Sequence, residues 1–169
     1  MARDLIAPRA VTEFLSSIEN SGFSTWLRES GSIWAYPTVL TLHTIGLGVL
    51  VGGHWVISLR LLGQGVDVPL STFEGLFKYM WAGFWINLLT GVMLLAADAT
   101  TKSTQTVFFV KMAFVVAGVV LLTVMRRRVY PKGGAVVAVQ VPPSGRSLAW
   151  SSIGIWCAAI VAGRLMAYF

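Results

Sequence analysis

The sequence is poor in charge and nearly devoid of cysteine: charged residues make up 12% of the chain, and the one cysteine, Cys157, lies inside an apolar run. One thiol excludes an intrachain disulfide, a CxxC redox pair, a CxxCH haem-attachment motif and a cysteine-based zinc site. Acidic residues are scarce, 7 Asp and Glu against 13 Lys and Arg, and there are two histidines, His43 and His54. No phosphate-binding glycine loop, nucleophile elbow or HExxH motif is present, which argues against hydrolase and nucleotidyl chemistry. The opening MARDLIAPRAVTEF lacks the apolar centre of a secretion signal, so the N-terminus is expected to be retained.

What the sequence holds in abundance is hydrophobicity. Apolar residues reach 56% of the chain and the mean hydropathy is +0.73, a composition that belongs to bilayer proteins rather than to water-soluble enzymes. Runs at about residues 33–62, 73–97, 106–125 and 148–168 each reach the roughly 20 residues that a helix needs to cross a hydrocarbon core. The connecting stretches 63–71, 98–105 and 126–146 collect the Gly, Pro, Ser and charge that spans avoid. The expected architecture is an all-α integral membrane protein, a bundle of four transmembrane helices over 33–169. It is preceded at 1–32 by a segment carrying an amphipathic interfacial helix, in which Val11, Phe14, Leu15, Ile18 and Trp26 or Leu27 recur at helical spacing among Glu13, Ser16, Ser17 and Glu19.

With an even number of spans, the termini and the second connection share one side. Seven cations (Arg60, Lys78, Arg126, Arg127, Arg128, Lys132 and Arg146) fall on the side of the first and third connections, against four (Arg3, Arg9, Arg28 and Lys102) on the other. The positive-inside bias then predicts both termini on the periplasmic face of a bacterial inner membrane. The high basic balance, which in a soluble chain would suggest nucleic acid, reads here as topology. Trp34, Tyr36 and Tyr168 at one face, and Tyr79, Trp81 and Trp150 at the other, suit the two interfacial belts.

The two histidines lie in the first span, in TLHTIGLGVLVGGHW. Their spacing of 11 residues turns the helix by about 1100°, three turns plus about 20°, so both are expected on one face, roughly 16 Å apart along the axis. That distance excludes a shared metal but allows an outer and an inner haem, each ligated by imidazole. An intramembrane ionisable residue is a functional-site candidate by default, and His43 is the deeper of the two. The competing reading of each is a polar group bonded across the bundle. Gly46, Gly48, Gly52 and Gly53 let a neighbouring helix or a flat macrocycle approach, and Gly154, Ala158 and Ala162 form a second small-residue ladder suited to packing.

Lys111 and Arg164 enter the third and fourth spans near the expected level of His43, with Asp98 the one carboxylate close to that end. One carboxylate does not neutralise two cations in a low dielectric, so an anionic group such as haem propionates, or a lipid phosphate, would complete the balance, unless the cations snorkel or pair with Asp98. Bis-histidine ligation at one iron would need a second copy of the chain, hence a homo-oligomer, or a methionine: Met93 and Met112 in the outer half, Met125 in the inner. Asn87 and Thr90 suit cross-helix bonding or a quinone pocket.

The segments WAYP, LHTIG, LRLLG, WAGF, FFVKMAF and AGRLMAY together resemble a poorly characterised family of four-helix bacterial inner-membrane proteins, over most of the chain from Ile33 onward. More distantly, an early-helix His and a third-helix Lys look like the haem-binding membrane oxidases of the protoporphyrinogen type and the copper-resistance membrane family. That likeness implies roles for His43 and Lys111. The sequence thus leads to a membrane protein binding haem b through His43 and His54, with Lys111 and Arg164 at the propionates, passing electrons between the quinone pool and a periplasmic partner. A non-catalytic accessory or scaffold subunit of a larger membrane complex is the alternative, and a copper or small-solute transporter ranks third.

Overall fold

In the computed structural model, which describes residues 9–130 and 143–168, every regular element is helical among the described residues. Two short helices, α1 (Arg9–Glu19) and α2 (Gly22–Glu29), precede α3 (Tyr36–Leu61). A 3-10 turn (Leu70–Phe73) leads into α4 (Leu76–Ala97), the single turn α5 (Ala99–Lys102) follows, and α6 (Thr106–Val129) and α7 (Pro143–Leu165) complete the chain. The expected features of residues 1–8 and of most of the third connection lie outside the described residues.

Four helical segments, Tyr36–Leu61, Leu70–Ala97, Thr106–Val129 and Gly145–Leu165, are long and apolar enough to cross a membrane. The expected spans therefore appear with shifted ends, each for a local reason. Pro37 sits in the first turn of α3, where its missing N–H costs nothing. α6 runs on through Arg126, Arg127 and Arg128, because arginine is a good helix former and these cations complement the carbonyl end of the helix dipole. The stretch expected as one N-terminal helix breaks at Asn20–Ser21, where Ser21 adopts an extended conformation and its hydroxyl caps α2 by accepting from the Ser24 N–H.

The four long helices stand in the spatial order α4, α3, α7, α6: α3 packs on both α4 and α7, and α7 on α6. The α3–α4 contact is a glycine crossing. A Cβ on Gly46 would lie 2.9 Å from the Gly83 carbonyl oxygen, and one on Gly83 would lie 2.8 Å from the Gly46 carbonyl oxygen. Only hydrogen fits at both positions, which lets the backbones approach as they do in small-residue membrane interfaces. Gly53 accommodates Met80 in the same way, and Gly118 of α6 receives the indole of Trp156. Gly48, Gly52 and Gly154 have nothing within 4 Å of a built Cβ, so only part of each glycine ladder is used within one chain.

The inner core is apolar, built of Leu50, Ile57, Leu61, Phe77, Met80, Leu122, Met125 and Trp156 among others. A smaller cluster of Leu27, Ala35, Val39 and Ala97, with Met93 and Leu94 against it, ties α2 to α3 and α4. There Glu19 accepts hydrogen bonds from the Thr100 N–H and hydroxyl at 2.8 and 2.6 Å, and Arg28 donates to the Ala97 carbonyl at 3.0 Å. At the opposite end of α3, Gly63 and Gly65 take positive φ, and the buried Arg60 donates to the Val68 and Val66 carbonyls, closing the first connection onto its own helix.

Candidate functional site

His43 is half-buried on α3 and faces α4. Its Nδ1 lies 3.0 Å from Thr90 Oγ1, and the Asn87 side-chain amide donates to the His43 carbonyl at 2.8 Å. The direction of the histidine bond follows from where the threonine proton goes. Thr90 Oγ1 donates to the Ile86 carbonyl at 2.6 Å, with the Asn87 carbonyl at 3.2 Å, a common use of threonine in an apolar helix. With its one proton committed there, Thr90 Oγ1 receives the His43 bond, so Nδ1 carries the ring proton and Nε2 presents a lone pair. No hydrogen bond occupies His43 Nε2 among the described residues. Gly91 leaves room for the ring, a Cβ there falling 3.1 Å from His43 Cε1.

This is the arrangement a metal-ligating imidazole requires: one nitrogen fixed by an oxygen acceptor, the other free and basic. Thr41 and Thr44, which flank His43 in sequence, take no part in it. Their hydroxyls return to the Pro37 and Leu40 carbonyls of their own helix.

Lys111 on α6 is partly buried, near enough for its charge to act on the His43 ring. Its aliphatic stem runs past Gly163 of α7, where a Cβ would lie 3.5 Å from Cε and 3.7 Å from Nζ. It forms no ion pair among the described residues. Arg164, the next residue after Gly163, is exposed, its guanidinium 5.9 Å from the centre of the Tyr168 ring. Asp98 pairs with Lys102 at 3.6 Å, so among the described residues neither cation has a carboxylate partner.

His54 belongs to a different neighbourhood. It is fully buried on the α7 side of α3, with Nδ1 3.0 Å from Ser152 Oγ and its ring 5.2 Å from that of Trp156. At the level of His43 the helix within reach is α4, and at the level of His54 it is α7. Lys111 is thus linked to His43 through its charge and to α7 through Gly163, Arg164 follows that glycine in sequence, and His54 stands apart. Met93 and Met125 are accounted for by packing in the outer and inner clusters. Asn87 and Thr90 prove to be partners of His43; their spacing of three residues in the helix facing the LHT segment was the available signal. Ser152 and Trp156, the partners of His54, carried none, because nothing in the sequence ranks α7 beside α3.

A model of a family of unknown function, DUF6644, matches residues 14–169. The chain belongs to the DUF6644 family. That match takes in the second half of α1, all of α2 and all four long helices. No curated protein and no solved structure matches the chain, and the distant likeness to haem-binding oxidases and copper-resistance proteins gains no support from these comparisons. Among the described residues no group of three or more His, Cys, Asp or Glu side chains could hold a metal ion.

Proposed function

We propose that this DUF6644 protein binds haem b through His43 Nε2 and passes electrons between a quinone and a periplasmic partner in the bacterial inner membrane. The observation that carries the reading is the Ile86–Thr90–His43 hydrogen-bond chain, which fixes the imidazole in the ligand tautomer and leaves Nε2 unengaged. Haem, when bound, would supply the one-electron chemistry. The chain's own residues hold the ring, Thr90 by accepting a hydrogen bond from Nδ1–H and Asn87 by donating to the His43 carbonyl. Lys111 and Arg164, without carboxylate partners among the described residues, would supply positive charge suited to propionates. His54 has no part as a ligand in this reading, because its neighbours enclose it completely. With one such imidazole per chain, a second copy would supply another, and the protein would work as a homo-oligomer.

The seven-to-four excess of cations supports a periplasmic location of both termini. Under that topology α1 and α2 lie at the outer surface, where Phe14, Phe23, Trp26 and Trp34 are exposed, as side chains inserted into a lipid interface would be.

Purified protein, reduced with dithionite, is expected to give a b-type spectrum, with a pyridine haemochrome assay returning haem in fixed ratio to chain. Colourless, folded protein from haem-replete cells would remove the reading. A second reading, an accessory subunit of a larger complex, draws on the docking of α1 and α2 through Glu19 and Arg28. It predicts that a partner assembly fails when residues 1–30 are deleted.

A further inference from the structure

The α3–α7 interface contains a second polar group of residues, separate from His43. His54 and Ser58 lie one turn apart on α3, and Ser152 and Trp156 one turn apart on α7, and all four have no exposed surface. The His54–Ser152 bond again fixes a tautomer, this time the opposite one. The Ser152 hydroxyl makes no other hydrogen bond among the described residues, so its proton goes to His54 Nδ1, and the ring proton sits on Nε2.

His54 Nε2 therefore is a donor, and it has no acceptor among the described residues. Trp156 Nε1, an obligatory donor, has none among them either, and the Ser58 hydroxyl is likewise without a partner there. The His54 and Trp156 rings are 5.2 Å apart at 50°, so at least two of these three groups belong to one small volume. Buried donors in native proteins find acceptors, and where the protein supplies none, ordered water does. In hydrocarbon there is no bulk solvent to substitute.

We propose that the His54, Ser58 and Trp156 donors hold a buried water in the inner half of the bundle. Water fits the chemistry: it accepts from two N–H groups through its two lone pairs and exchanges a bond with the serine hydroxyl. A metal ion does not, because it cannot accept from Trp156 Nε1–H and would compete with the proton on His54 Nε2. The site is independent of haem at His43.

The test uses the full-length protein in lipid nanodiscs, labelled with nitrogen-15 in Trp and His, with magnetisation transferred from water to the indole N–H protons. Trp156 is one of seven tryptophans and is identified by the peak lost in Trp156→Phe. If that variant does not fold, substitution of the other six identifies it by elimination. The expected result is a water cross-peak at Trp156 Hε1 and at His54 Hε2, with exchange into heavy water slower than for the exposed Trp34 and Trp150, and loss of the Trp156 cross-peak in His54→Phe. Absence of a water cross-peak at both protons in folded wild type would overturn the proposal. So would a shift of both on adding a short-chain quinone, which would assign the donors to a carbonyl ligand instead.

Discussion

Thr90 and His43 are joined in one direction only: because the threonine proton is spent on the Ile86 carbonyl at 2.6 Å, the 3.0 Å contact between the two side chains is a bond given by the histidine. Thr90→Val keeps the shape of the side chain and removes the acceptor. It is expected to weaken haem retention by about 10-fold or more, the usual cost of losing a partner behind a metal ligand, while Thr90→Ser retains it. Nitrogen-15 shifts of His43 check the tautomer without haem: Thr90→Val should release the Nδ1–H preference, and an unchanged shift would show that Thr90 does not set it.

Lys111→Gln should lower haem affinity and leave the fold intact, with Lys111→Arg recovering most of the loss, since the contribution argued for is charge without a carboxylate partner. Titration of haem into protein purified from haem-limited cells measures this. Equal affinity of Lys111→Gln and wild type would mean that the cation has another use.

The α3–α4 crossing tolerates no side chain at Gly46, where a Cβ would meet the Gly83 carbonyl at 2.9 Å, and is indifferent at Gly48, where nothing lies within 4 Å. Gly46→Ala is expected to destabilise by about 1–3 kcal/mol through overpacking. Gly48→Ala should be neutral or stabilising by up to about 1 kcal/mol, as alanine is the better helix former. Thermal unfolding in detergent distinguishes the two. Equal behaviour would contradict the glycine crossing.

The N-terminal helices are held by an acid-sensitive contact. The hydrogen bond from the Thr100 hydroxyl, then that from its N–H, and lastly the Arg28 charge hold the Glu19 carboxyl below its ordinary value of 4.5, with burial working against them. A depressed carboxyl contributes stability that is complete above the undocked value and is lost as pH falls through the docked one. Lowering the pH below about 4.5 should therefore loosen α1 and α2, seen as faster proteolysis between residues 9 and 35. In Glu19→Gln cleavage should be fast at neutral pH and change little on acidification. Identical profiles for the two proteins would show that the contact does not hold the helices.

The spans were legible because each is a long apolar run, and lipid leaves such a run no fold other than a helix. Their ends were less so: hydropathy stops at Met125, but the backbone of α6 continues to Val129 on the helix propensity of three arginines. The break at Ser21 is hidden in the sequence because amphipathic spacing runs through it. For the site, the expectation that Lys111 and His43 share a level rests on depth alone, which counting residues supplies. The opposite tautomers of His43 and His54 did not follow. They depend on which helix stands beside α3 at each level and on its rotation: one residue either way would exchange Thr90 for Leu89 or Gly91, and Ser152 for Ser151 or Ile153.

The most direct test of the central claim is the haem content of His43→Ala set against that of His54→Ala, each purified in mild detergent beside wild type. The account predicts that His43→Ala loses the b-type spectrum while His54→Ala, if folded, retains it at the wild-type ratio. Retention of haem by folded His43→Ala would contradict it.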